Sequence, residues 1–410
     1  MDVDLSSPIL IDGEIATNLF RTNPCRCACQ EEWILNHPQE FIKLQTDFQE
    51  AGCKVLYTPT FGSSSVRLAQ LGREDKLEEY NRKLVQLTRE AAKEGVYVAG
   101  AMCATGLTLE PHGDSSFTEM MAVYREQAEI LLDSGVDLLI VESLSSIAEA
   151  RAAAIALRKF QKPLMITLEV DEDGETPFEG TAINALIMLQ ELGVSAFGLN
   201  CAYGVKNIAQ IVSRMKPYAK IPIIAKPSPV NYCEDTKEFV ELTPQQMGEQ
   251  ITLVLSAGAT IIGGYTGITP KHLKEMHQTM LSYHQPSGVQ QEELGDIILA
   301  DTMQLYNLYC DKIECSPLLT CSIDMTDDLL EVEDESFDVI MIEIDSVEDA
   351  RDFAQNACIA TLPICFSSHN ETALKLALLL YQGRAMIDSH TTIDRETLEE
   401  IAQKYGAVIY

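Results

Sequence analysis

Eight short apolar runs, separated by amphipathic stretches, fill roughly the first two thirds of this 410-residue chain. They fall at 9–12, 54–58, 97–101, 137–142, 164–169, 196–200, 222–226 and 260–264. A parallel strand covered by helices on both faces reads as a continuous apolar run rather than as an alternation. The stretches 40–50, 76–94, 120–134, 147–158, 182–192, 206–215 and 244–257 between them have helical periodicity. Five of these helical stretches end in a glycine, at Gly52, Gly95, Gly135, Gly193 and Gly258, the residue that most easily takes the left-handed turn closing a helix. Such alternation predicts an α/β fold. A count of eight predicts closure into a (β/α)8 barrel, the TIM architecture, over an open doubly wound sheet.

The barrel domain is expected over 1–285. The residues from Ser282 to Gln291 have linker composition, and the α/β pattern resumes over 292–410. Apolar runs there lie at 338–342, 363–366, 385–387 and 407–409, with helical stretches at 347–355, 371–381 and 395–405. A (β/α)8 barrel needs about 250 residues, so this smaller α/β domain is too short to be a second one.

Charge and cysteine content narrow the classes of function. The net charge of -32 predicts neither nucleic acid nor an anionic membrane as partner, since both would repel the chain. No run of 18 apolar residues is present, which predicts no membrane-spanning helix. The first seven residues carry acids where a signal peptide carries basic residues, and with 12 cysteines this predicts reduced thiols in a cytoplasm.

In a (β/α)8 barrel the chemistry gathers where the strands end. That rule selects Asp12 and Gly13, Thr60, Cys103, Glu142, Asn200 and Cys201, Lys226, and the loop Gly263-Gly264-Tyr265-Thr266-Gly267. Any one of these polar residues also suits a helix cap; their coincidence at several strand ends points to a site.

The same loops carry a family resemblance. Ile9-Leu10-Ile11-Asp12-Gly13, Thr58-Pro59-Thr60-Phe61-Gly62, Leu109-Glu110-Pro111-His112-Gly113-Asp114, Val141-Glu142, Gly198-Leu199-Asn200-Cys201, Lys226-Pro227-Ser228-Pro229 and Gly263-Gly264 resemble the homocysteine S-methyltransferase family over about residues 8 to 278. The resemblance implies methyl transfer to homocysteine or a related acceptor. Asp12, Gly13, Thr60 and Glu142 would contact the amino-acid substrate, with Glu142 receiving its ammonium group. Glu142, Asn200 and Tyr265 are the candidate catalytic residues, and Cys201 the candidate metal thiolate. The implied cofactor is zinc. The methyl donor would be a methylated corrinoid, a betaine or a sulfonium compound. A corrinoid protein is then a candidate partner, and a homo-oligomer is left open.

One departure stands out. The family's last loop carries two zinc-binding cysteines, and their positions here hold Tyr265 and Thr266. Phenol and alcohol stay protonated at neutral pH and are poor zinc ligands. Three readings stay open: an altered acceptor without zinc, metal ligands from elsewhere, or a non-catalytic relative that binds an amino acid or a partner protein. For the second, Cys25, Cys27 and Cys29 in the loop after the first strand share one face when extended, and Arg26 would lower their pKa; free thiols are the competing expectation. His112 is the candidate acid–base histidine, and His37, His272, His277 and His284 suit exposed or capping roles. The segments 362–374, 385–389 and 404–407 resemble a fragment of the pterin-binding domain of cobalamin-dependent methionine synthases. Ser368 and Asp388 are the residues to test there, and packing or dimerisation is the competing role.

Overall fold

The computed structural model describes residues 5, 7–20, 29–110, 112–233, 235–284 and 294–410. Two compact units divide the chain: Met1–Ala182 with Val194–Gln290, and Ile183–Gly193 with Gln291–Tyr410.

In the first unit the strands β1 (Ile9–Leu10), β2 (Val55–Tyr57), β3 (Tyr97–Met102), β4 (Leu138–Leu144), β5 (Leu164–Val170), β6 (Ala196–Cys201) and β7 (Ile223–Pro227) follow one another. A hairpin of β8 (Val230–Cys233) and β9 (Glu238–Glu241) precedes the eighth barrel strand, β10 (Ile261–Ile262). The sheet runs β1-β10-β7-β6-β5-β4-β3-β2, all parallel. A parallel bridge between Ile11 and Val55 joins the two ends, with Lys54 N donating to Leu10 O at 2.8 Å. The eight expected strands are therefore all present, and they close.

Local chemistry explains the order. All six residues of β6 are buried, as the unbroken apolar run requires. Gly198 in that strand has no alternative: a Cβ there would lie 1.9 Å from Ile224 O on β7. The five glycine stops all have φ between 81° and 110°, the left-handed region a side chain resists. Helix Phe117–Asp133 starts with a Ser116–Glu119 capping box and helix Pro244–Ala257 with a Thr243–Gln246 box, each cap contributing about 1 kcal/mol.

Some elements escaped the pattern. Helices Ile15–Phe20, Gln30–Asn36 and Ser65–Gln70 lie in the strand-to-helix connections. They span two turns or fewer, too short for a periodic signal and dependent on packing for stability. The β8–β9 hairpin is exposed along β9, so its apolar pattern is weak.

The second unit holds an antiparallel pair, β11 (Ile297–Ala300) and β12 (Leu305–Leu308), and a parallel five-stranded sheet. Its strands are β13 (Cys315–Thr320), β14 (Val339–Glu343), β15 (Ile364–Ser367), β16 (Met386–Ile387) and β17 (Val408–Ile409), hydrogen-bonded in that order. A monotonic order is that of a barrel; a doubly wound sheet reverses direction part-way. Ile297, Leu299, Leu308, Val339, Cys365 and Met386 form a buried cluster. The Phe353 ring meets Phe366 edge-on, and Phe366 meets Tyr381 likewise. The expected linker at 282–291 begins where helix Pro270–Ser282 ends, and its residues from 285 lie outside the described residues.

Candidate active site at the barrel mouth

β6 and β7 lie side by side, with Asn200 in register with Lys226 and Cys201 with Pro227, and β4 stands one strand further on, across β5. This places three polar side chains together. Lys226 Nζ makes an ion pair with Glu142 Oε1, both side chains being almost wholly buried. Asn200 Nδ2 donates to the same Glu142 oxygen at 3.1 Å and to Ser143 Oγ at 2.8 Å. The Lys226 ammonium also stands 4.7 Å from the centre of the Tyr57 ring, a cation–π contact. Removing either member of a buried pair leaves an uncompensated charge, so these groups hold one another in place.

Asp12 lies two residues beyond the end of β1. It is fully buried, and its Oδ2 accepts from Tyr57 N at 2.8 Å. Burial holds its carboxyl well above the usual carboxylate range, against the pull of Lys226 and the Tyr57 N–H. Asp12 Oδ1, Asn200 Oδ1 and the Tyr57 hydroxyl are buried without a protein partner. Orphaned buried polar atoms are costly.

A cavity of about 340 Å³ opens at this end, lined among others by Gly13, Glu142, Ser143, Cys103, Tyr265 and Thr266. Ser143 follows Glu142 at a register shift between β4 and β5 and has φ 56°. A non-glycine residue in that region stores strain, which active sites tolerate. Ser143 could not be found from sequence, because backbone strain at a bulge leaves no residue signature. Glu14 and Glu31 also line the cavity. The Glu14 carboxylate accepts from Ala16 N at 2.9 Å, and burial raises its pKa. Glu31 accepts from Gly62 N at 2.8 Å.

The last loop keeps its turn. Gly263 N donates to Ala225 O and Gly264 N to Asp12 O, at 3.0 and 3.3 Å. A Cβ on Gly264 would lie 2.3 Å from Ile268 Cγ2, so the glycine is required by packing. Tyr265 Oη donates to Glu169 Oε1 at 3.2 Å, and burial with the neighbouring carboxylate raises the phenol's pKa. Thr266 lines the cavity beside it. Cys201 is fully buried and is not among the lining residues; burial pushes its thiol up to about 11.

A family model described as homocysteine S-methyltransferase matches residues 9–280. The chain belongs to the homocysteine S-methyltransferase family. The methionine synthase of Mycobacterium leprae (strain TN) is 26% identical over 284 residues, 65% of this chain. That of Mycobacterium tuberculosis is 26% identical over 275 residues, 63% of this chain. The matched region spans only 23% of the length of each of these relatives. Among solved structures, the homocysteine methyltransferase MmuM from Escherichia coli in metallated form has a TM-score of 0.56 at 20% identity, covering 67% of this chain and 96% of its own. The oxidized form gives 0.55 at 23% identity, with 66% and 95% covered. These structures share the barrel fold.

Against the family pattern, the residues sort into three groups. Gly13, Glu142 and Tyr265 line the cavity, and Asn200 is hydrogen-bonded to two of its wall residues. Asp12 lies behind the wall, in reach of Tyr57. Thr60, expected to line the cleft, is fully buried, and its hydroxyl is engaged by Ala101 O at 2.6 Å and Thr58 Oγ1 at 2.7 Å. The wall there is formed by Pro59 and Phe61 instead. His112 is exposed and does not line the cavity, while His272 completes a capping box with Thr269.

The family's zinc does not fit the groups present. Such a site needs three thiolate, imidazole or carboxylate ligands. Here the three positions supply a buried thiol, a phenol bonded to Glu169 and an alcohol. Among the described residues, no group of three or more His, Cys, Asp or Glu is arranged to hold a metal. Cys25 and Cys27, with Arg26, lie outside the described residues. Cys29 is buried against Glu31 at 3.4 Å, and burial raises its pKa to about 11, the reverse of the lowering expected from Arg26.

In the second unit, Ser367 Oγ donates to Asp388 Oδ2 at 2.9 Å and His390 N to Asp388 Oδ1 at 2.9 Å, holding that carboxylate below its usual range although partial burial opposes it. Ser368 is buried between Ile344 O and Asn370. Both are engaged in joining strand ends.

Proposed function

We propose that the barrel mouth binds an amino acid and transfers a methyl group to homocysteine or a related acceptor. The observation that carries this reading is the Glu142–Asn200–Lys226 cluster. It fixes one carboxylate at the wall of a cavity large enough for an amino acid. Lys226 and Asn200 orient Glu142 toward a ligand ammonium group, and the orphaned Asn200 Oδ1 beside it offers a further acceptor. Gly13 lines the same cavity.

Methyl transfer needs a donor, and the chain's acidic mouth accommodates a betaine or sulfonium cation as readily as a methylated corrinoid brought by a partner protein. The replaced ligands at Tyr265 and Thr266 support a second reading, a non-catalytic relative that binds an amino acid or a partner. Titration calorimetry with homocysteine, methionine and other amino acids tests the binding reading, and absence of binding by all of them defeats it. Supplying betaine, a methylsulfonium compound or methylcobalamin with homocysteine then separates the two. Methionine formed from any donor supports the enzyme; binding without product from all three supports the second reading.

A further inference from the structure

At the position where this family carries its metal, the chain has built a hydrogen-bonded pair. Tyr265 Oη donates to Glu169 Oε1 at 3.2 Å. Glu169 is in register with Asn200, and its neighbour Val170 with Cys201, so the carboxylate sits beside the strand end that holds the remaining cysteine. The loop backbone is pinned there too, with Tyr265 N donating to Pro227 O at 3.2 Å. Tyr265 and Thr266 line the cavity, while Cys201 does not reach its wall.

The direction of that hydrogen bond decides what the phenol can offer a ligand. Its only proton is committed to Glu169 and the Thr266 hydroxyl bonds the same phenol, so what the oxygen can still turn to a ligand is a lone pair, not a donor. A lone pair attracts a protonated thiol and repels a thiolate. The surroundings point the same way. Glu14, Glu31 and Glu142 line the same cavity, and the Lys226 ammonium beside it is already paired with Glu142. A thiolate entering this cavity would meet carboxylates at its wall and a phenol oxygen unable to donate.

We infer that Tyr265 and Glu169 replace the metal at the barrel mouth, making ligand binding metal-independent, and that a thiol ligand is held there protonated, donating to Tyr265 Oη. This rests on reading the mouth as an amino-acid site. Tyr265 is thus the residue that distinguishes homocysteine, which carries an S–H, from methionine, which does not.

The test uses the full chain, with zinc content measured after purification and calorimetry of homocysteine and methionine in two buffers of different ionisation enthalpy. A metal-bound thiol gives up about one proton per ligand on binding, because coordination deprotonates it. The expected results are no stoichiometric zinc, no effect of a chelator, no proton released, and homocysteine bound a few-fold more tightly than methionine, since S–H is a weak donor. Tyr265→Phe should erase that preference while leaving methionine affinity intact. The double variant Tyr265→Cys, Thr266→Cys should gain about one zinc, because three thiolates then complete a site, and should begin releasing a proton with homocysteine. Zinc held by the wild type, proton release abolished by the chelator, or a preference that survives in Tyr265→Phe would each overturn the inference. Should Tyr265→Phe not fold, the wild-type zinc and proton counts decide. If neither amino acid binds, the amino-acid reading fails by itself, and the zinc content of wild type and double variant still judges the metal-free mouth.

Discussion

On one side of the barrel mouth, Glu142 of β4 is bonded by both Asn200 of β6 and Lys226 of β7 in near-complete burial. On the other, Tyr265 in the loop after β10 donates to Glu169 of β5 at a half-buried cavity wall, with Thr266 next to it. The first side is constrained from every direction: a change to any member strands a charge or an orphaned donor. The second is not, because a neutral hydroxyl can be lost without leaving a buried charge. Chemistry can therefore drift on one side of a site while the other is held by its own electrostatics. The backbone under the drifting side is nevertheless fixed, since Gly263 and Gly264 have no room for a Cβ.

The contrast can be broken most severely at Lys226. Lys226→Met leaves Glu142 buried and unpaired, and should cost about 3–5 kcal/mol of stability by denaturant unfolding. A loss under about 1 kcal/mol would mean the cluster is not the rigid side. Next comes the loop backbone. Gly264→Ala should cost about 1–3 kcal/mol, the usual penalty for overpacking, because its Cβ collides with Ile268. Tyr265→Phe should cost only about 0.5–1.5 kcal/mol, the net value of one hydrogen bond. A cost for Tyr265→Phe equal to that for Lys226→Met would erase the distinction between the two sides.

The last test changes a slope more than a size. Burial raises the Asp12 pKa in the folded state, so this carboxyl's contribution to stability is fully present below its unfolded pKa. It is lost as pH rises through the folded value. Asp12→Asn removes that loss while keeping an acceptor for Tyr57 N. The variant should gain on wild type as pH rises from about 4, near the unfolded carboxylate pKa, to neutrality. A difference independent of pH, read from unfolding midpoints across that range, would show that Asp12 is not held protonated by burial.

Much of the barrel was legible because its physics is local. Continuous apolar runs, helical periodicity and glycine stops each report on a few neighbouring residues, and all eight strands lie where the runs do. The short helices Ile15–Phe20 and Gln30–Asn36 were not legible, since two turns show no period and tertiary packing holds them. At the site, strand-end position selected Asp12, Glu142, Asn200 and Lys226, but not the engagement of the Thr60 hydroxyl within the sheet. Nor could it reveal Ser143, whose role follows from a bulge, or Glu169, whose partner lies 96 residues away.

From the sequence alone came the α/β alternation, the eight-strand count, the family resemblance and the substitution of two metal thiols by a phenol and an alcohol. These are properties of residue type and spacing. Only the tertiary structure decided that Lys226 neutralises Glu142, that Asp12 is buried beyond easy ionisation, and that the Tyr265 proton is directed to Glu169. Those outcomes depend on which side chains from distant strands share a low-dielectric space, and closure of the barrel, not chain order, brings them together.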